Sequence, residues 1–328
     1  MKSIRNILCV TFPWKNCQPA VERAVALAEN NQAGLTVVSM IERFAAAAEM
    51  LESEATPADL QALVVQGHEQ HLAALIEPYQ DRIPIQTQVL TGIPFLEIVR
   101  EVLRCEYDLV IKPTEAQDWL ERLFSSDDMH LLRKCPCPVW LIKPEAPKTC
   151  RRILAAVDVS DDYPRAELQT RYALNQQVLE TAGALALSEF AELHIVHAWD
   201  AVGENLMRTR APFMSGTDDK ITQYVEQVRK RHQRNLDGLI LEMTHRLGED
   251  AIDYLKPRAH LIKGSARKEV PALSRQLEAD LIVMGTVART GIPGFIMGNT
   301  AEAILNQIYC SVLAVKPPGL VTPVTLEG

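Results

Sequence analysis

The sequence predicts an α/β protein made of two similar, doubly wound domains in tandem, and three observations predict it. Short runs of aliphatic and β-branched residues alternate with segments whose apolar residues recur at the helical period. The same succession of segments occurs twice. A polar stretch with two prolines, residues 144–150, separates the two copies as a linker would. Strands alternating with helices in this way form parallel sheets covered by helices on both faces.

The first copy has the segments of a complete α/β domain. Its predicted strands cover 7–10, 34–39, 85–89, 108–111 and 139–142. Its predicted helices cover about 19–29, 58–76, 95–104 and 129–133. We expect this domain to occupy residues 1–145.

The second copy repeats this plan with longer intervening segments. Ile153-Leu-Ala-Ala-Val157 corresponds to Ile7-Leu-Cys-Val-Thr11, and Asp280-Leu-Ile-Val283 corresponds to Asp108-Leu-Val-Ile111. Further strands are predicted at 193–198 and 310–316, so that the second domain spans 151–318 and a tail spans 319–328. A charged segment at about 217–246 is expected to be the solvated face of a packed helix. The segment 198–219 is long for a loop. Two interpretations of it remain, a lid over a site and an arm packed on the other domain.

Composition limits the classes of partner. The 328 residues carry a formal net charge of -8 and no strongly basic run, which argues against nucleic acid and anionic membranes. No apolar run approaches membrane-spanning length. The seven cysteines have no disulfide-framework spacing, which favours the cytoplasm. We expect a small ligand or a protein as the partner.

The stretch from Asp280 to Thr300 is a candidate anion site. An apolar run ends at Gly285, a glycine-rich loop follows, and Gly298-Asn-Thr300 opens a new helical segment. A glycine at the carboxyl end of a strand lets backbone N–H groups approach an anion, and a helix start adds unpaired N–H donors. The alternative interpretation is that these glycines are plain turn residues.

These features resemble the universal stress protein family, and the tandem arrangement resembles its two-domain E-type members. Asp128-Met-His-Leu-Leu-Arg-Lys-Cys-Pro-Cys-Pro-Val-Trp-Leu-Ile-Lys143 and Gly285-Thr-Val-Ala-Arg-Thr-Gly-Ile292 carry much of the resemblance. It implies five parallel strands per domain in the order 3-2-1-4-5, with a ligand at the switch point between strands one and four. It also implies that the fifth strands pair, which would make the chain an intramolecular pseudo-dimer and leaves a homodimer open.

The resemblance implies a site for ATP or a related adenine nucleotide, with or without Mg²⁺, in the second domain. Asp158 would hold the adenosine part, and Ala198 would lie beside the adenine. The residues that match or depart from the family's glycine motif are Gly285, Ala288, Gly298, Asn299 and Thr300. Ala288 stands where the family has its second glycine, and a methyl group there would crowd a phosphate. Arg289 can reach a phosphate or face water.

The first copy departs further from the family pattern. Phe12 stands at the position of the aspartate, and Pro113, which has no N–H, stands at the position of the first glycine. Asp127, in place of a hydroxyl residue, would repel a phosphate. We therefore expect the first domain to have lost nucleotide binding and to serve as a structural partner.

Catalytic and metal chemistry have little support in the sequence. No nucleophile and base pair is evident, we expect no metal site, and Cys135-Pro-Cys137 is interpreted as inert packing. Three functions stay open: a non-enzymatic sensor or regulator that binds a nucleotide or another anion, a family member that works through protein contacts or a different ligand, and a slow ATPase.

Overall fold

The computed structural model describes residues 4–41, 57–114, 126–210, 217–286 and 297–326. The chain divides into two compact units. The N-terminal unit comprises residues 2–149, 291–297 and 309–328, and the C-terminal unit comprises residues 150–290 and 298–308. Across the described ranges, no helix combines the length and the apolar character needed to cross a membrane.

Strands and helices alternate along both halves of the chain. The strands are β1 (Asn6–Thr11), β2 (Gly34–Ile41), β3 (Ile85–Thr91), β4 (Leu109–Pro113), β5 (Val139–Ile142), β6 (Arg152–Ala156), β7 (Glu192–Trp199), β8 (Arg258–Lys263), β9 (Leu281–Gly285) and β10 (Ser311–Val315). The helices are α1 (Gln18–Asn31), α2 (Pro57–Ile76), α3 (Pro94–Cys105), α4 (Ser126–Lys134), α5 (Arg165–Glu189), α6 (Glu204–Arg210), α7 (Thr217–Leu247), α8 (Glu249–Leu255), α9 (Ala266–Gln276) and α10 (Asn299–Leu305). A short 3-10 helix, Glu77–Tyr79, follows α2.

The N-terminal unit contains a doubly wound parallel sheet in the order β3-β2-β1-β4-β5. This order confirms the 3-2-1-4-5 arrangement expected for the first copy. The fifth strand of the second copy, β10, also belongs to this unit and pairs antiparallel with β5, with Leu313 opposite Trp140. The expected pairing of the two fifth strands is therefore present within one chain.

The C-terminal unit contains four parallel strands in the order β8-β7-β6-β9, which is the same winding. The fifth strand of this copy is β10, whose five residues are all buried and which is grouped with the unit that contains β5. Helix α5 packs across β6, β7 and β9 and against α7 and α8, while α9 packs on β7 and against α10. The segment 198–219, expected to be a lid or an arm, contains the helix α6. Residues 211–216 of this segment lie outside the described residues.

The acidic residue that leads the fourth strand of each copy has a structural role. In the N-terminal unit, Asp108 Oδ2 accepts hydrogen bonds from the backbone N–H groups of Arg5 (2.8 Å) and Asn6 (3.1 Å). In the C-terminal unit, Asp280 Oδ2 accepts equivalent hydrogen bonds from the backbone N–H groups of Arg151 (2.7 Å) and Arg152 (3.1 Å). Each carboxylate thus satisfies donors at the start of the first strand, which explains why both copies have aspartate there.

Candidate functional site

The candidate site lies where β6 and β9 end in the C-terminal unit. These strands are adjacent and parallel, with Ala156 opposite Met284, so Asp158, two residues after Ala156, and Gly285, one residue after Met284, emerge at the same edge of the sheet. The winding reverses between β6 and β9, and ligands of open parallel sheets bind at such a switch point. The Asp158 side chain is 44% exposed.

Asp158 is already engaged by side chains of its own unit. Tyr163 Oη donates a hydrogen bond to Asp158 Oδ2 at 2.6 Å, and Arg171 Nη1 lies 3.3 Å from the same oxygen. The Arg171 guanidinium carbon lies 3.4 Å from the centre of the Tyr163 ring. Burial and the Asp158 charge raise the pKa of Tyr163 to about 12, so its hydroxyl stays a donor at neutral pH. The carboxylate, the hydroxyl and the guanidinium form one polar cluster, the Asp158 cluster.

Helix α5 supplies the residues that fix this edge. Asn175 Nδ2 donates to the Asp158 carbonyl at 2.7 Å, and Asn175 Oδ1 accepts from the Asp158 N–H at 3.1 Å. One residue before Asn175, Leu174 packs on Gly285, where an added Cβ would lie 2.5 Å from Leu174 Cδ2. Gly285 is thus needed for close packing of the helix on the strand end, a role that a strand-end glycine motif does not reveal.

The predicted glycine motif is only partly described. Ala288 and Arg289 lie outside the described residues. The base of the loop is closed by a hydrogen bond from the Gly298 N–H to the Thr286 carbonyl, at 3.1 Å. Gly298 has φ -59°, and no atom of the described residues lies within 4 Å of an added Cβ. Asn299 and Thr300 are exposed in the first turn of α10.

A pair of buried histidines lies beside this edge and was not predicted as part of the site. His197 Nε2 lies 2.9 Å from His232 Nδ1, and the two rings stack with centroids 5.0 Å apart. His197 Nδ1 lies 3.3 Å from the carbonyl oxygen of Val157, next to Asp158. Burial lowers the pKa of both histidines, which favours neutral rings. Ala198, the predicted neighbour of an adenine, is half-buried and pairs with Ile262 of β8.

The sequence pattern of α7 indicates that His232 is buried, but the many charged residues of this segment concealed the pattern. Val228, His232 and Leu236 recur at every fourth residue, and all three are buried. This spacing gives α7 an apolar stripe on the side opposite its charged residues. His232 belongs to that stripe. The expectation of a solvated face therefore applies only to the other sides of the helix.

Helix α7 also lines a cleft of about 690 Å³. The described residues that line it are Tyr224, Gln227, Val228, Arg229, Lys230, Arg231, Gln233 and Arg234. Arg231 connects this cleft to the loop after β6, because it lies 3.3 Å from Asp161 Oδ1 and 3.2 Å from Asp162 Oδ1. Arg229 and Lys230 pair with Glu226 in the same helix, so most of the basic side chains that line the cleft already have a carboxylate partner.

The corresponding edge of the N-terminal unit is filled by its own side chains. Phe12, at the position of Asp158, is 3% exposed. Lys112 Nζ lies 5.0 Å from the centre of the Phe12 ring and 2.5 Å from Asp128 Oδ1. The Lys112 and Asp128 side chains are 1% and 0% exposed. Pro113, at the position of Gly285, is buried at the end of β4, and Asp127 lies in the first turn of α4.

No metal centre emerges from the described residues. Among them, no three or more histidine, cysteine, aspartate or glutamate side chains are grouped as metal ligands would be. His194 and His197 of β7 have separate partners, His260 and His232. His68 instead forms a 2.7 Å hydrogen bond with Ser39 through its Nδ1 atom.

Comparison with known proteins gives the same family for both halves of the chain. The profile of the Universal stress protein family matches residues 3–143 and 149–316. The chain is 30% identical over 337 residues to Universal stress protein E of Escherichia coli K12, covering 100% of this chain and 98% of that protein. It is 29% identical over 331 residues to Universal stress protein E of Salmonella typhi, covering 100% and 99%.

Solved structures share the fold over almost the whole chain. A protein of unknown function from Pseudomonas aeruginosa PAO1 has a TM-score of 0.68 at 24% identity, with 96% of this chain and 93% of that chain covered. A universal stress protein from Archaeoglobus fulgidus has a TM-score of 0.61 at 18% identity, with 96% and 99% covered. At these identities the likeness concerns the fold alone.

Proposed function

Since the chain belongs to the universal stress protein family, we propose that it is a non-enzymatic sensor or regulator in the stress response. Its C-terminal unit would bind an adenine nucleotide or a similar anionic ligand. The proposed binding residues are Asp158, Ala198, Gly285, Ala288, Arg289, Gly298, Asn299 and Thr300. A cytoplasmic location is part of the proposal, and the seven free thiols support it.

One observation carries this proposal. Asp158 and Gly285 occupy the neighbouring strand ends at the switch point of the C-terminal unit, and Asp158 stays 44% exposed. The closed base of the following loop keeps Gly298 near Gly285, through the hydrogen bond to Thr286. The same edge of the N-terminal unit is filled by Phe12, which supports ligand binding in only one half.

The test is a nucleotide titration of the full chain and of Gly298→Asp, with Gly298→Ala as the matched control. Among the described residues, no atom lies within 4 Å of an added Cβ at Gly298, so neither variant should disturb their packing. The aspartate places a negative charge beside the proposed phosphate position, and we expect binding to weaken by about tenfold or more, since two like charges at ~4 Å repel by ~1–4 kcal/mol. Gly298→Ala should bind as the wild type does.

A second function has its own supporting observation. Tyr163 and Arg171 already satisfy the Asp158 carboxylate, and Leu174 fills the space beside Gly285. This arrangement favours a family member that does not bind ATP and acts through protein contacts or a different ligand. Absence of saturable nucleotide binding in the wild type, in Ala288→Gly and in Leu174→Ala would select this function over the first.

Hydrolysis is tested in the same titration. Phosphate release with Mg²⁺ that scales with protein concentration and disappears in Gly298→Asp would make the protein a slow ATPase. Since the sequence shows no evident general base for hydrolysis, we expect bound nucleotide to be recovered intact.

A further inference from the structure

Two cysteines meet at the turn between α4 and β5 of the N-terminal unit, outside the candidate site. The Sγ atoms of Cys135 and Cys137 lie 3.5 Å apart. Cys135 is fully buried, and Cys137 is 8% exposed. The sequence favours inert packing, because Cys-x-Cys is not the Cys-x-x-Cys of redox enzymes. The contact between the two sulfur atoms changes that interpretation.

A buried lysine adjoins the two thiols. Strand β10 pairs antiparallel with β5, with Ala314 opposite Val139, and continuation of this register sets Lys316 opposite Cys137. Lys316 is 4% exposed. Its ammonium group donates a hydrogen bond to the Leu132 carbonyl in the last turn of α4. A cation there offsets the negative end of the helix dipole, which would otherwise disfavour a thiolate at Cys135.

The charges around the two thiols are unequal. Burial raises the pKa of Cys135, but the hydrogen bond from Cys137 and the positive charge of Lys316 outweigh it, so the pKa of this thiol lies below its ordinary value. The pKa of Cys137 is raised by its hydrogen bond with Cys135 and by burial. Burial lowers the pKa of Lys316 to about 8, while the two thiols oppose that change. Cys135 is therefore the nucleophile of the pair, and Cys137 is the second thiol.

We propose that Cys135 and Cys137 form a peroxide-sensitive dithiol that closes to a disulfide, with Lys316 stabilising the Cys135 thiolate. The alternative for two adjacent thiols is a soft metal ion. The neighbouring ammonium group repels a cation, and no third histidine, cysteine or carboxylate joins the pair among the described residues. An anionic sulfur that reacts with a neutral oxidant suits this environment better.

The reaction balances with one hydroperoxide. The Cys135 thiolate attacks one peroxide oxygen, the O–O bond breaks, and the departing oxygen takes a proton from Lys316 or from water. Cys135 is then a sulfenic acid. The Cys137 sulfur attacks the Cys135 sulfur, its proton leaves with the hydroxyl as water, and the S–S bond forms. Two thiols are oxidised and one hydroperoxide is reduced to water and an alcohol, or to two waters.

Burial restricts the oxidant to a small one. The sulfur atoms must approach by about 1.5 Å to reach the ~2.05 Å length of a disulfide, which side-chain rotation can supply. Hydrogen peroxide is close to water in size, whereas a bulky disulfide would need the whole turn to open. The pair should therefore respond to peroxide more readily than to oxidised glutathione.

The test is mass mapping of the full chain after a brief exposure to hydrogen peroxide, followed by alkylation in denaturant. Trypsin cuts after Lys134 and Lys148 but not between Lys143 and Pro144, so residues 135–148 form one peptide with these two cysteines only. We expect this peptide to lose two hydrogens and both alkylation sites. The internal comparison is Cys105, which is exposed but whose pKa is raised by desolvation and by Glu101. Cys105 should react more slowly despite its exposure.

Variants identify the roles of the three residues. Lys316→Met should slow disulfide formation by about tenfold if the lost charge raises the pKa of Cys135 by one unit, and Lys316→Arg should preserve the rate. In Cys137→Ser, a sulfenic acid should accumulate on Cys135 and be trapped by dimedone that is added together with the denaturant, so that the reagent can reach the buried sulfur. Circular dichroism verifies that each variant is folded.

Two outcomes would overturn the proposal. One is a 135–148 peptide that retains both thiols at a peroxide dose that oxidises Cys105. The other is a Cys137→Ser protein that shows the same secondary structure as the wild type but yields no dimedone adduct at Cys135. Either result would return the pair to the role of packing.

Discussion

The same strand edge is built from opposite kinds of contact in the two units. In the N-terminal unit, a phenyl ring covers a fully buried ion pair between Lys112 and Asp128. In the C-terminal unit, Asp158 is half-exposed and is held by Tyr163 and Arg171. The edge of the N-terminal unit is closed by buried side chains, whereas the edge of the C-terminal unit is polar and partly exposed to solvent. The comparison teaches that the two copies retain the winding of the sheet while the side-chain contacts at their switch points differ.

The buried ion pair is expected to give the largest effect. Asp128→Ala leaves the Lys112 ammonium buried without its carboxylate, and losing one partner of a buried pair costs about 3–5 kcal/mol. Urea unfolding of the full chain should show this loss of free energy of unfolding.

The C-terminal copy supplies the matched control for that substitution. Met284 and Ala301 stand at the positions of Lys112 and Asp128 in the second copy. The double variant Lys112→Met, Asp128→Ala therefore carries the residues of the second copy and leaves no buried charge. It should recover most of the lost stability, and failure to recover would mean that Asp128 stabilises α4 by another route.

The contact between Gly285 and Leu174 should give the second largest effect. In Gly285→Ala, the new methyl group would lie 2.5 Å from Leu174 Cδ2, and crowding of this kind costs about 1–3 kcal/mol. Adding Leu174→Ala should remove the crowding, so that the two losses are less than additive. Gly298→Ala is the control, because no atom in the described part of the chain lies within 4 Å of its methyl group. Additive losses in the double variant would contradict this account of Gly285.

A smaller effect should follow from the buried histidines of the C-terminal unit. The pKa values of His197 and His232 are lowered in the folded protein, chiefly by burial, from an ordinary value of 6.5. As pH falls through 6.5, the unfolded chain therefore binds protons that the folded chain does not. The free energy of unfolding should therefore be highest above pH 6.5 and should fall by about 1 kcal/mol towards pH 5.5.

A matched pair of variants on α7 assigns this pH dependence. His232→Leu, which preserves the apolar stripe, should flatten the slope of unfolding free energy against pH between pH 7.5 and 5.5. His245→Gln, at an exposed position of the same helix, should leave it unchanged. His68, His194 and His260 also have lowered pKa values through burial, so part of the slope should persist. Equal slopes in both variants would exclude His232 as a source.

Much of the fold was predictable because its signals are local. Apolar runs of strand length and the helical period identified the elements of the first copy to within a few residues, and the repeated Asp-led fourth strand related the copies. The grouping of β10 with the N-terminal unit could not be predicted from local sequence. It depends on antiparallel pairing with β5, which the strand's own sequence does not specify.

Less of the candidate site was predictable. Asp158 and Gly285 follow strands and were found from that position, and the structure brings both to the β6 and β9 edge. Tyr163, Arg171 and Leu174 come from α5 and the segment before it, where no short-range pattern marks a residue that folds back on a strand end. His232 was missed for the opposite reason, because the charges around it hid a buried stripe.

The smallest effect is expected at Asp158, and it tests the comparison most directly. Its side chain is 44% exposed, and ion pairs of that exposure contribute roughly 0.2–1 kcal/mol, so Asp158→Asn should lower the free energy of unfolding by less than about 1 kcal/mol. Tyr163→Phe, which removes only one donor to the carboxylate, should cost no more than Asp158→Asn does. A loss comparable to that of Asp128→Ala would mean that Asp158, like Asp128, is a structural acid. A small loss leaves this carboxylate free to exchange Tyr163 and Arg171 for a ligand.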